Sequence, residues 1–281
     1  MEIPSPGALR RGVLAVSVLH DVDMTPHPDG VLLPGCPDVE VSWAECLRAL
    51  AGHDPEADDG RLRLTQWLLA RRWAADVGPV ELRERLRPVG LPLEHVLHPA
   101  LDWVRSRVLG DALDLGLGAV GLDPADPDRV VLLPTTVLDA AGLDAEVLWR
   151  GAAAQLDTLG ALAAERVRSD RRGQLRPLGD CDVVTLLGSR VLRASLAGAA
   201  GGMAAAVVPM RRRGWTRLAQ IDPAFGLAAA AATSPAERGF PRPLLLTADE
   251  VVMVPAGGRP TDIVLRERAA DRTWSSDVLY R

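Results

Sequence analysis

The stretch best suited to chemistry is Arg211-Arg212-Arg213-Gly-Trp215-Thr-Arg217, which sets four guanidiniums beside one indole. A guanidinium fork grips a carboxylate or phosphate with two parallel hydrogen bonds, and an indole stacks on a base or on a guanidinium. Arg211, Arg212, Arg213, Trp215 and Arg217 are therefore the candidate binding residues, and an acidic protein or a phosphate-bearing ligand is the expected partner. Gly214 lets the chain bend, so that Trp215 can turn inward while the three consecutive arginines stay in water. The plainer reading of the same residues is a solvated loop around one core tryptophan.

Other constellations carry less. His20, Asp21, Asp23, His27 and Asp29 cluster after an apolar run. Histidine with carboxylates suits a divalent metal, but the spacing matches no closed ligand set, and no metal is expected there. His95 and His98 stand three apart, with Pro99 directly after and no HExxH nearby. Gly116-Leu-Gly118-Ala-Val-Gly121 matches GxGxxG letter for letter. The dinucleotide fingerprint needs a helix to start at the third glycine, and Leu-Asp-Pro-Ala-Asp-Pro-Asp follows instead, so these glycines are expected in or beside a strand. No GxSxG elbow occurs, and Ser189 and Ser195 read as cap or packing residues.

Composition removes several enzyme classes. The 281 residues include no lysine and no asparagine, and all 32 basic residues are arginine. Schiff-base chemistry, the Walker A lysine and the kinase strand lysine are thereby excluded, as are N-glycosylation and a Cys-His-Asn triad. With abundant Ala, Gly, Pro and Leu, this bias suggests a GC-rich bacterial genome. Tyr280 is the only tyrosine, and Cys36, Cys46 and Cys181 are too few and too scattered for a disulfide framework or a CxxC site. No cofactor is expected. The net charge of −5 argues against wholesale nucleic-acid or anionic-membrane binding but allows a local basic patch. The first residues lack the basic-then-apolar profile of a signal peptide, and Ala194–Met210 is too weakly apolar to span a membrane, so a cytoplasmic protein is expected.

These residues need elements to hold them. Val13–Leu19 reads as a buried strand and His20–Pro37 as loop or hairpin. Ser42-Trp-Ala-Glu45 is a capping box that opens a helix running to about Ala51. Residues 61–76 carry a helical stripe, Pro79 opens a shorter helix, and further helical pieces are expected around Glu94 and over Pro99–Leu109. Leu113, Leu115 and Leu117 alternate as a strand does, and Val130–Leu133 pairs with them as a hairpin. Asp144 caps a long helix through Arg168, whose following arginines suit the negative helix end. Val183–Leu187 and Ala204–Val208 read as strands around an Arg190–Leu196 helix. An Ala-rich helix is expected over 223–232, with hairpins at Leu244–Leu246/Val251–Val254 and Ile263–Arg266/Trp274–Leu279. The class is α+β: a mostly helical part over 1–110, with one N-terminal strand, and a mixed, hairpin-rich part over 111–281.

The stretch Arg129–Leu156, with Arg193-Ala-Ser-Leu196 and Val207-Val-Pro209 further on, resembles the YtpQ-like family of uncharacterised bacterial proteins. That family shows a strand, a short helix, then a Gly-Leu-x-x-Glu opening of a longer helix, followed by Ala-Ser-Leu and Val-Pro motifs. Met210-Arg211-Arg212 stands where the family has Arg-Asp. The resemblance implies a cytoplasmic α+β protein and no particular activity. Three functions remain open. The first is a binding or accessory protein without catalytic activity. The second is a hydrolase, metal-assisted or not, using the His20–Asp29 loop. The third is a nucleic-acid-associated protein using Arg211–Arg217.

Overall fold

A computed structural model describes residues 4–99, 102–217 and 231–254. The architecture is α+β, as expected, with three antiparallel sheets. The expected hairpin at 263–279 and most of the helix at 223–232 lie outside the described residues. Among the described residues no helix is long and apolar enough to cross a membrane. The chain forms two compact units. The first takes residues 1–87, 96–105 and 116–152, and the second takes 88–95, 106–115 and 153–281.

The first unit opens with α1 (Pro6–His20), where a strand over Val13–Leu19 was expected. The upstream cap decides this: the Ser5 hydroxyl accepts from the Ala8 amide at 3.2 Å, and Pro6 sits in the first turn with its φ already helical. Leu9, Val13 and Val16 then recur at helical spacing and are buried. Gly12 lets α1 close on the chain at Pro55, whose carbonyl would stand 2.5 Å from an added Cβ. The segment after α1 forms the hairpin β1 (Thr25–His27) and β2 (Gly30–Leu33), and β3 (Val39–Ser42) completes a sheet in the order β1-β2-β3.

Helix α2 (Trp43–Leu50) carries the capping box as expected. The Ser42 hydroxyl takes the Glu45 amide, and Glu45 takes the Ser42 amide at 2.9 Å. Next come α3 (Asp58–Val77) and α4 (Pro79–Arg85). The helical pieces expected after Pro88 are instead β4 (Leu86–Pro92), turns, and β5 (Val104–Arg107). Gly110 and Asp111 both take positive φ, 93° and 49°. That is the backbone of a tight hairpin turn, not of a helix. It feeds β6 (Leu113–Ala119), which is buried along its whole length. The sheet order is β4-β6-β5, and β7 (Val131–Leu132) pairs with β6 through Gly118↔Leu132, the hairpin read from the sequence.

Gly116 owes its place to Trp103. The indole is fully buried, donates from Nε1 to the Leu117 carbonyl at 2.7 Å, and would lie 2.4 Å from a Cβ on Gly116. The GxGxxG letters thus mark a strand that an indole presses against. A short α5 (Thr135–Ala140) precedes α6 (Ala145–Ser169), which Asp144 caps through the amides of Glu146 and Val147.

In the second unit, β8 (Gln174–Leu175) precedes α7 (Val183–Leu186), which is helical where a strand was expected. Asp182 caps it by accepting from the Thr185 amide at 2.7 Å, and that contact wins over the β-preference of two valines. Helix α8 (Arg190–Ala199) is capped by Ser189. β9 (Ala204–Met210), β10 (Arg213–Trp215), β11 (Leu244–Leu246) and β12 (Val251–Met253) follow. With β8 they give the sheet order β12-β11-β9-β10-β8. Buried charges in this unit are answered locally. Arg107 grips the fully buried Asp114 at 2.7 and 2.8 Å, and Arg193 donates to the carbonyls of Leu187, Gly188 and Ala248.

Candidate functional site

The candidate residues sit at one edge of the five-stranded sheet. Strands β9 and β10 join through a turn at Arg211-Arg212, and β10 pairs with the edge strand β8 in the register Gly214↔Leu175 and Trp215↔Gln174. Gly214 is buried because a Cβ there would come within 2.7 Å of Val208 and 3.0 Å of the Val207 carbonyl. Packing, rather than an unusual φ, requires the glycine.

The five residues do not act alike. Arg211 turns inward. Its Nε donates to Asp182 at 2.7 Å, and the two side chains are only 13% and 16% exposed. Its carbonyl accepts from the Val183 and Val184 amides, and its amide donates to the Glu237 carbonyl. Arg211 therefore ties the hairpin to the start of α7. Arg212 and Arg213 are exposed, and Trp215 is half-buried rather than a core anchor. Arg217 is exposed and donates to the Arg171 carbonyl, while the Thr216 amide donates to the Gly173 carbonyl at 2.9 Å.

Those two contacts bring in arginines that the sequence reading passed over. The turn Asp170–Gly173 is organised by Asp170, whose carboxylate accepts from the amides of Arg172 and Gln174. These hydrogen bonds hold its carboxyl below the usual range. Arg171 and Arg172 are left exposed, and Arg176 is exposed with its guanidinium braced on the Gln174 amide oxygen. The strand register sets Arg213 toward the Arg176 end of β8 and Arg217 toward the Arg171–Arg172 end. Segments 166–176 and 209–217 hold nine arginines against one acidic residue, Asp170. All of the nine but Arg211 are exposed, and six of them lie on β8, β10 and the turns beside them: Arg171, Arg172, Arg176, Arg212, Arg213 and Arg217. The signal for the missed ones was Asp-Arg-Arg-Gly-Gln-Leu-Arg, which in sequence looks only like a charged helix end.

The other sequence candidates are placed elsewhere. His20 ends α1, Asp21 caps it, His27 lies on β1 and Asp29 in the turn after it. Among the described residues no three His, Cys, Asp or Glu side chains come together in a way that would hold a metal. Cys36 is exposed, whereas Cys46 is buried, and that burial pushes its thiol up to about 12. Ser189 is fully buried and donates to Asp157 at 2.8 Å, a contact that the absent side chain of Gly160 permits. His98 lies edge-on to Trp103 with ring centres 5.5 Å apart. No family model matches the chain, and neither the curated proteins nor the solved structures compared with it give a match.

Proposed function

We propose that this chain is a cytoplasmic binding or accessory protein that docks an anionic partner on the arginine edge formed by β8, β10 and the turns beside them. The single observation behind the reading is the register Gly214↔Leu175, which gathers arginines from two distant segments along one sheet edge. Like charges held side by side repel, so an anion seated among them relieves a strain that water and salt relieve only partly. Guanidinium forks that are already braced, as Arg176 is by Gln174, lose less freedom on binding. The partner chemistry is a run of carboxylates or phosphates, and recognition needs no catalytic step.

A second reading, single-stranded nucleic acid, is favoured by one feature. Trp215 is half-buried within this basic edge, where an indole face can stack on a base. The test is titration of wild type and of two charge-reversed pairs, Arg212→Glu/Arg213→Glu and Arg171→Glu/Arg172→Glu, at low and moderate salt. The ligands are a poly-glutamate peptide and an oligothymidylate. Binding that falls with salt and is lost in either pair supports the arginine edge. Loss in the first pair alone restricts the site to the hairpin. Equal binding by all three proteins at both salts refutes it. Trp215→Ala separates the two partner classes, because stacking on a base contributes about 1–3 kcal/mol and a peptide carboxylate does not use it.

A further inference from the structure

The first unit holds a separate cleft, of about 50 Å³, between α3, the residues Leu97, Pro99 and Asp102, and the segment 129–134. That volume has room for several water-sized groups, hence for a ligand of a few heavy atoms. Its polar lining is Arg63 and Gln66 from α3, with Asp102 and Arg129 opposite, and indoles Trp67 and Trp73 supply apolar wall. Arg63, Gln66 and Trp67 share one face of α3 because they stand at i, i+3 and i+4. Trp67 is held in place: its Nε1 donates to Thr136 at 3.3 Å, and the Arg71 guanidinium covers its ring at 5.9 Å.

Charge in the cleft is unevenly answered. Arg129 pairs with Asp123 at 3.0 Å. Arg63 has no carboxylate within 4 Å among the described residues; it donates from Nη1 to the His98 carbonyl. Its Nε is buried and has no hydrogen-bond partner there. A half-buried guanidinium with an unfilled donor is a costly arrangement unless an acceptor completes it. Burial pulls this guanidinium below its ordinary value, so an anion beside Arg63 favours its charged form, whereas burial pushes the Asp102 carboxyl above its own and Asp102 opposes added negative charge.

We propose that this cleft binds a small organic monocarboxylate, with its carboxylate on the Arg63 fork and its short apolar body against Trp67 and Trp73. The chemistry selects that class. Arg63 asks for a planar anion. The Asp102 carboxyl in the same lining repels a second negative charge and so disfavours phosphate. The indoles and the small volume favour a short carbon body over a bare ion.

The experiment is calorimetry and tryptophan fluorescence on the full chain with butyrate, its neutral isostere butyramide, and inorganic phosphate. Butyrate is expected to saturate near about 1 mM, as befits a ligand of few atoms, with butyramide and phosphate weaker by about tenfold or more. Arg63→Gln is expected to weaken butyrate by about tenfold or more, and Asp102→Asn to tighten it. Ala49→Leu fills the cleft from α2, whose Ala49 lines it, and is expected to abolish binding with Arg63 intact. The proposal is overturned by equal affinity for butyramide or phosphate, by no saturation below about 50 mM, or by unchanged binding in Ala49→Leu. The isostere and the Ala49 variant decide the matter even where Arg63→Gln fails to fold, and none of these variants touches the arginine edge.

Discussion

Arg211 and Arg212 are neighbours of one type in one turn, and the structure assigns them different work. Replacing Arg211 with Ala removes a guanidinium that bonds Asp182 at 2.7 Å with both side chains more than four-fifths buried. Exposed pairs contribute about 0–1 kcal/mol, and breaking a fully buried pair costs about 3–5 kcal/mol. The burial here lies toward the second case, but the remaining Asp182 carboxylate keeps the Thr185 amide as a partner. The expected loss for Arg211→Ala is therefore about 2–3 kcal/mol. Arg212→Ala and Arg213→Ala, on exposed side chains, are expected to change stability by less than about 0.5 kcal/mol. The assay is urea unfolding followed by far-ultraviolet circular dichroism, run as a double-mutant cycle of Arg211→Ala with Asp182→Ser. Serine keeps the cap on α7 while removing the charge, so the coupling term isolates the ion pair. A coupling of about 1.5–2.5 kcal/mol is expected at low salt. A coupling near zero, or an Arg211→Ala loss no larger than that of Arg212→Ala, would refute the argument that the hairpin is stapled through Arg211.

Gly116→Ala places a methyl against the buried Trp103 indole, where the glycine leaves only 2.4 Å, and is expected to destabilise the first unit by about 1–3 kcal/mol in the same assay. Asp102 has its folded carboxyl raised above the unfolded value, chiefly by burial. The stability it allows is thus fully present below the ordinary aspartate range and is lost as pH rises through the raised value. Asp102→Asn is accordingly expected to be more stable than wild type at neutral pH, with the advantage vanishing near about pH 3; equal stability at pH 7 would sink that reasoning. Asp170 works in the opposite sense, because backbone amides lower its carboxyl. Its support for the turn before β8 is present above the ordinary aspartate range and fades as pH falls through the lowered value. Amide protection at Arg172 and Gln174, taken relative to the intrinsic exchange rate at each pH, is expected to fall in acid, and Asp170→Ala should lower it at neutral pH as well.

Local chemistry was legible wherever a feature closes within a few residues. The Ser42–Glu45 capping box, the Asp144 cap, Pro79 at a helix start and the hairpin of β11 and β12 are contacts between near neighbours, so residue order alone specifies them. The refusal of Gly116–Gly121 to open a helix was legible for the same reason, since the prolines that forbid it follow at once. What failed was of two kinds: valine-rich runs whose strand preference hid a cap close by in sequence, and placements set by partners far along the chain. Val13–Leu19 became helix because its buried stripe packs under a cap set eight residues earlier. Val183–Leu186 became helix because Asp182 caps it, with the same carboxylate held by Arg211 of the β9–β10 turn. The basic edge extends beyond Arg211–Arg217 only because strand pairing carries Arg171, Arg172 and Arg176 to the same place. Likewise, nothing about Arg63 in sequence sets it apart from 31 other arginines. Only packing reveals an arginine with a buried donor and, among the described residues, no carboxylate within 4 Å, because burial and pairing depend on residues far away along the chain.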